Sequence, residues 1–221
     1  MFLHCQKGCH RRGRRYSDGV LAFESAFASR EGSSNTAHRV AAPLGMEKAY
    51  HEMVALVADF GQAPTLEFYD DLHGVGGLFI PDEWAIAIGV KDIEDIADSV
   101  LSARRVEVTG IATELSPRIG NSPNGVRNLM IAAGMGRCAA HELGHAVIFK
   151  GWTNPFAPDG EAGADYYAGR FDAARGADRR LGEMFFRAIG CIGPTCDHPA
   201  PETRSKAYLV GYREQQQRAG R

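Results

Sequence analysis

The stretch His141-Glu142-Leu143-Gly144-His145 constrains this chain more than any other. Its flanks, Met135 to Ala140 and Ala146 to Phe149, hold helix-compatible residues and no proline. On a helix, histidines four apart stack on one face, one turn above each other. Their imidazole nitrogens then reach a single ion at about 2.0–2.1 Å, the distance zinc prefers. Glu142 is directed beside such an ion rather than onto it. There it can take a proton from a water whose pKa the metal lowers to roughly 7. The pattern therefore asks for a helix, a cleft beside it, and a third ligand from elsewhere in the chain.

Zinc in a hydrolase usually has three protein ligands and one open position. A third histidine at the metzincin spacing would fall at position 151, which is Gly151, and that pattern's glycine position holds Ile148. The chain instead turns through a segment containing Gly151, Pro155, Pro158 and Gly160, and enters Glu161-Ala-Gly-Ala-Asp165. Glu161 and Asp165 are again four apart and share a helix face. One can bind the metal while the other accepts a hydrogen bond from a ligand histidine and fixes its tautomer. The competing account is structural, because acids are favoured near a helix N-terminus in any case.

Taken together, His141-Glu-Leu-Gly-His145 and Glu161-Ala-Gly-Ala-Asp165-Tyr-Tyr-Ala-Gly169 resemble the gluzincin pattern of an HExxH helix followed by a Glu-x-x-Ala-Asp helix. The tail runs from Asp197-His198-Pro199 through Arg204 to Gly211-Tyr212. It is similar to the ending of the CAAX-prenyl-endopeptidase-like zinc peptidases, in particular their small soluble bacterial relatives. The resemblance covers roughly residues 46 to 213 and is sharpest from 135 onwards. It implies an α+β, zincin-like fold with a small sheet whose edge strand lies beside the HExxH helix. It also implies one zinc ion and endopeptidase activity on a peptide or protein substrate. Residue by residue, it makes Glu161 the third ligand and Asp165 the support of a ligand histidine. His198 and Arg204 become groups that hold the substrate or the oxyanion. In gluzincins an extended substrate pairs with the edge strand. Trp84, Ala85, Ile86 and Ala87 are the candidates for that strand, with an ordinary hairpin around Pro81 as the alternative.

The rest of the chain is ordinary for a globular protein, at 44% hydrophobic content. A net charge of −2 gives no reason to expect a nucleic-acid partner. No apolar run approaches the roughly 20 residues needed to span a bilayer, unlike the membrane-embedded members of the family.

Residues 1–45 read differently. Seven basic residues there face three acids, a balance of +4, and residues 46–221 carry 18 basic and 24 acidic residues, a balance of −6. With the linker-like Gly-Ser-Ser-Asn-Thr at 32–36, this segment is expected to be a disordered basic arm. The metallopeptidase domain then spans 46–221. A signal peptide fits poorly, because the short apolar region carries Glu24 in its middle. Met46 is an alternative translation start. The spacing of His4, Cys5, Cys9 and His10 matches none of the common zinc-finger patterns. Without an export signal the five cysteines are expected to be reduced and the protein cytoplasmic, although Cys191 and Cys196 could form a short disulfide in an oxidising compartment. The arm also motivates a different class of function, a zinc-stabilised binding or regulatory module without peptidase activity.

Periodicity supplies the elements between these landmarks. Tyr50, Met53, Val54 and Val57 predict a helix over 46–60, and 65–69 suits a strand. Residues 91–101 form an amphipathic helix, and the β-branched content of 106–115 predicts a strand followed by a loop over 116–125. The site helix is expected to start near 123–127 and stop at Lys150-Gly151, and Asp178 to cap the helix after it.

Overall fold

The strand Ala85–Gly89 is buried at every residue and forms the middle of the sheet. The computed structural model describes residues 37–57, 61–189 and 199–220. The architecture is α+β, mostly helical, with one small mixed sheet. Its strands are β1 (Arg39–Val40), β2 (Thr65–Tyr69), β3 (Gly77–Ile80) and β4 (Ala85–Gly89), in the order β1-β2-β4-β3. β4 pairs with β2 in parallel and with β3 antiparallel, and β1 adds antiparallel to β2. The strand has neighbours on both sides, Ile86 and Ile88 lie in the main core and Ala87 packs with Leu72 and Ile80, so no face is solvated and Ala-Ile-Ala-Ile is apolar throughout rather than alternating.

Two expectations are corrected here. Trp84, Ala85, Ile86 and Ala87 are not at an edge: Trp84 sits in the turn before β4, and the other three are paired on both sides. The edge near the site is β3, across the hairpin from β4. Two residues of the expected basic arm, Arg39 and Val40, are paired in the sheet, and residues 1–36 lie outside the described residues. Arg39 and Val40 lie opposite Tyr69 and Phe68, and the His38 amide donates to the Asp70 carboxylate at 2.7 Å.

Seven helices complete the described residues: α1 (Met46–Ala55), α2 (Val90–Leu115), α3 (Pro117–Gly120), α4 (Pro123–Phe149), α5 (Gly160–Ala174), α6 (Arg179–Ala188) and α7 (Pro201–Ala219). The strand expected over 106–115 is instead the second half of α2, which passes a non-helical residue at Arg104. Its β-branched residues misled, while the buried set Val108, Ile111 and Ala112 follows helical spacing and Val106 stays 88% exposed. Likewise 116–125 is the short α3 plus the start of α4, whose first turn is capped by Ser122 accepting from the Gly125 amide at 3.1 Å. No helix among the described residues is long and apolar enough to cross a membrane.

α4 is the central helix, buried almost continuously from Ala133 to Val147. It stops where expected, at Lys150, with Gly151 in the left-handed conformation. α5 and α7 pack backbone to backbone. A Cβ on Gly169 would strike the Tyr208 carbonyl, and one on Gly211 would strike the Tyr166 carbonyl. This approach sets the N-terminal end of α7 against the first turns of α5.

Candidate metal centre

Three polar side chains meet where α4 crosses the start of α5. His141 and His145 project from one face of α4, and Glu161 from the first turn of α5, which Asp159 caps by accepting from the Ala162 amide at 3.0 Å. His141 Nε2 and His145 Nε2 lie 3.1 Å apart. Glu161 places one oxygen 3.3 Å from His141 Nε2 and the other 3.4 Å from His145 Nε2. These three residues are the group among the described residues that could hold a metal ion.

Behind them runs a chain of buried partners. Asp165, one turn after Glu161, places a carboxylate oxygen 2.8 Å from His141 Nδ1. An ionised carboxylate can only accept, so Nδ1 donates to Asp165, and Nε2 is the ring nitrogen that faces Glu161 and is open to exchange a proton for a cation. Arg204, from the first turn of α7, grips the same carboxylate with both arms of its fork, Nε at 2.9 Å and Nη2 at 2.8 Å. Arg204 is 2% exposed and Asp165 is 0% exposed. Of the two roles expected of Arg204, positioning or substrate binding, its burial against Asp165 fits positioning. Its Nη2 also lies 3.9 Å from a Glu161 oxygen and 3.4 Å from His141 Nδ1, so it can position the site through Asp165 and through the charge of Glu161.

The electrostatics follow from this packing. Burial works against ionising Asp165, but the Arg204 charge and the His141 contact outweigh it and hold the carboxyl below its usual range. Burial likewise works against protonating His141, and the charge and hydrogen bond of Asp165, with Glu161, outweigh it and raise the imidazole to about 9. Among the described residues, three carboxylates (Glu142, Glu161 and Asp165) share this corner with one guanidinium. Even with the His141 proton in place the corner keeps an excess of negative charge in a largely buried place, which a cation taking the place of that proton would relieve.

Glu142 is buried beside this group, and β3 closes over it. A Cβ at Gly77 would meet Glu142 Oε1 at 3.2 Å and would strike Cys138 Sγ, so the edge strand approaches the glutamate as closely as a glycine allows. Burial, then the charge of Glu142, push the Cys138 thiol well up, so it stays a neutral packing group. His198 lies outside the described residues, as do Cys191, Cys196 and the His4–Cys5–Cys9–His10 cluster.

Sequence reading missed a second polar layer one turn deeper. Arg137 precedes His141 by four residues, Asp172 follows Asp165 by seven, and Tyr208 follows Arg204 by four. The same three helices thus repeat the arrangement. Arg137 Nε lies 3.1 Å from Asp172, the Tyr208 hydroxyl donates to Asp172 at 2.9 Å, and Arg175 donates to it at 2.7 Å. The available signal was Arg137 itself, a charged residue on the face of α4 that carries His141. No protein-family model matches the sequence, and no curated protein or solved structure is significantly similar to it.

Proposed function

We propose that this chain is a zinc-dependent endopeptidase of zincin-like fold, resembling the gluzincins and the CAAX-prenyl-endopeptidase-like peptidases. The observation that carries the reading is the triangle of ligand atoms. Tetrahedral bonds of about 2.0–2.1 Å place ligand atoms about 3.3–3.4 Å apart. The closest approaches among His141, His145 and Glu161 are 3.1, 3.3 and 3.4 Å, the last two to different oxygens of the Glu161 carboxylate, so the three side chains already stand at ligand spacing. Imidazole nitrogens plus carboxylate oxygen is the donor set zinc takes in hydrolases, and a dication that displaces the His141 proton answers the corner's excess of negative charge. Zinc bound there supplies a Lewis acid that polarises a carbonyl and makes water a nucleophile near neutral pH.

The protein's own groups divide the remaining work. Asp165 holds the His141 ring through Nδ1, and Arg204 holds Asp165, so the ligand nitrogen is aimed before any ion arrives. Glu142, next in sequence to His141 and buried beside it, receives the proton of the attacking water on its carboxylate and passes it to the leaving amine. Among the described residues β3 is the sheet edge beside Glu142, where an extended peptide can add as a further strand. This role moves to β3 from the Trp84–Ala87 stretch.

Replacing Glu142 by glutamine tests the assignment. The amide preserves shape and removes the base, so the variant is expected to keep its zinc and lose hydrolysis of an unstructured protein such as casein. Near-parental turnover by that variant would sink the peptidase reading. Zinc binding without turnover in the unsubstituted chain would favour the zinc-stabilised binding module instead.

A further inference from the structure

Beyond the ligands, the face of α4 that carries them runs on to an aromatic cluster. Phe149 lies one turn after His145 and is 46% exposed. Its ring centroid is 5.9 Å from Phe79 on β3 and 6.3 Å from Trp84 in the β3–β4 turn, and Phe79 and Trp84 meet edge to face at 5.5 Å. Lys150 sets its ammonium 4.4 Å from the centre of the Trp84 ring. Trp84 is held there in an unusual backbone state. Its φ is +50°, a left-handed conformation that a bulky L residue adopts only under constraint. The constraints are visible: the indole N–H donates to the Gln62 carbonyl at 2.7 Å, and the Trp84 carbonyl accepts from the Thr65 amide at 3.0 Å. Strain of this kind concentrates where a side chain must be presented in one direction.

Register connects the cluster to Glu142. Gly77 faces Glu142, and Phe79, two residues along the same face of β3, meets Phe149. The strand therefore runs along α4 in the same direction as the helix. From Glu142 to Phe149 the helix rises about 10 Å. That distance equals about three residues of extended chain at roughly 3.3 Å each. A peptide paired antiparallel with β3, its scissile carbonyl at Glu142, runs back toward Phe149 with the residues before the cut.

We infer that Phe149 and Trp84, backed by Phe79, form a specificity subsite for a large apolar or aromatic side chain two to three residues N-terminal to the scissile bond. The inference rests on the peptidase reading for the meaning of the scissile bond. It rests on geometry alone for the binding preference. An aromatic guest would meet the exposed part of the Phe149 ring, which Phe79 and Trp84 already hold in place, so little ordering entropy is lost on binding.

The test separates the two. The zinc-loaded full chain carrying Glu142→Gln is titrated with two fluorescein-labelled peptides that differ only in Phe or Ala at one position, and anisotropy reads Kd. The Phe peptide is expected to bind about tenfold more tightly, in line with the discrimination an apolar pocket supplies. Phe149→Ala added to that background removes the difference. Trp84→Gly, which relieves the left-handed backbone and deletes the ring, reduces it as well. In parallel, cleavage of a peptide library by the unsubstituted protein is sequenced, with aromatic residues expected two to three positions before the cut. Equal binding of both peptides, or a Phe preference that survives Phe149→Ala, overturns the subsite even if cleavage occurs. A Phe preference lost in Phe149→Ala, with no cleavage by the unsubstituted protein, leaves the subsite standing and removes the peptidase reading. An aromatic preference after the cut overturns the placement of the subsite before the scissile bond.

Discussion

Replacing Arg204 by methionine deletes a charge while nearly preserving side-chain length. Asp165 is then left fully buried, with His141 Nδ1 at 2.8 Å as its remaining close partner. Breaking a buried pair by removing one member costs about 3–5 kcal/mol. Because the His141 ring still donates to the carboxylate, the lower end of that range, about 3 kcal/mol, is expected for the metal-free protein. A second loss appears only with zinc. Loosening the group that orients a ligand histidine typically weakens metal binding about 10–100-fold. That is worth about 1.4–2.7 kcal/mol at fixed free zinc. The zinc-loaded variant is thus destabilised by about 4–6 kcal/mol in all, against about 3 without zinc. Urea unfolding with and without buffered zinc measures both quantities, and competition with a chromophoric chelator measures the affinity directly. Arg204→Lys keeps the charge but not the two-armed grip, and falls between parent and methionine. If Arg204→Met unfolds at the parental urea midpoint and holds zinc as tightly, the Arg204–Asp165–His141 relay does not support the site.

Three further perturbations probe neighbouring features. Gly77→Ala pushes a methyl group onto Glu142 and Cys138, and is expected to lower kcat by about 10²-fold while zinc content is unchanged, since displacements near 1 Å cost that much; metal analysis and peptide turnover on one preparation check it. Asp172→Asn removes the close countercharge of buried Arg137, leaving the more distant Asp178, and is expected to cost about 3–5 kcal/mol by urea unfolding, yet to leave the zinc affinity of the folded fraction within about threefold of the parent. Asp178 caps α6, and hydrogen bonds from Arg180 outweigh its burial and hold its carboxyl below the usual value. Its stabilisation is therefore present above the ordinary carboxylate pKa and is lost as pH falls through the lower folded value. Asp178→Asn keeps a competent cap, so its deficit in melting temperature relative to the parent is expected to be largest near neutral pH and to shrink below about pH 3.8.

The site was readable where its geometry is local. His141 and His145, and likewise Glu161 and Asp165, are four apart, and a helix alone puts each pair on one face. What joins the pairs is tertiary, and there the outcome was mixed. The edge strand was misplaced because strand order depends on which segments meet in space; the apolar run 84–89 reads equally well as a covered edge or as a buried centre. The second half of α2 was misread because Val106, Val108, Thr109, Ile111 and Thr113 favour strands intrinsically. Burial at Val108, Ile111 and Ala112 decided otherwise. The layer of Arg137, Asp172 and Tyr208 went unseen because charged residues are by default placed on the surface. Only the pairing of opposite charges makes their burial tolerable, and pairing between α4, α5 and α7 leaves no local trace in the sequence.

The glycine contacts between α5 and α7 bear on how that pairing is kept. Most helix pairs meet through side chains, which can rotate and let one helix creep along the other. Here Gly169 meets the backbone at Tyr208, and Gly211 meets the backbone at Tyr166. Moving α7 by one turn, about 5.4 Å, would set side chains rather than glycines against those carbonyls and force the helices apart. The two contacts act as an index pin with one seat. Arg204 sits two turns up from Gly211, so its meeting with Asp165 follows from where that pin drops. The amides of α5 and α7 around the contact have no partial opening available to them, and should exchange their hydrogens only when the whole domain unfolds.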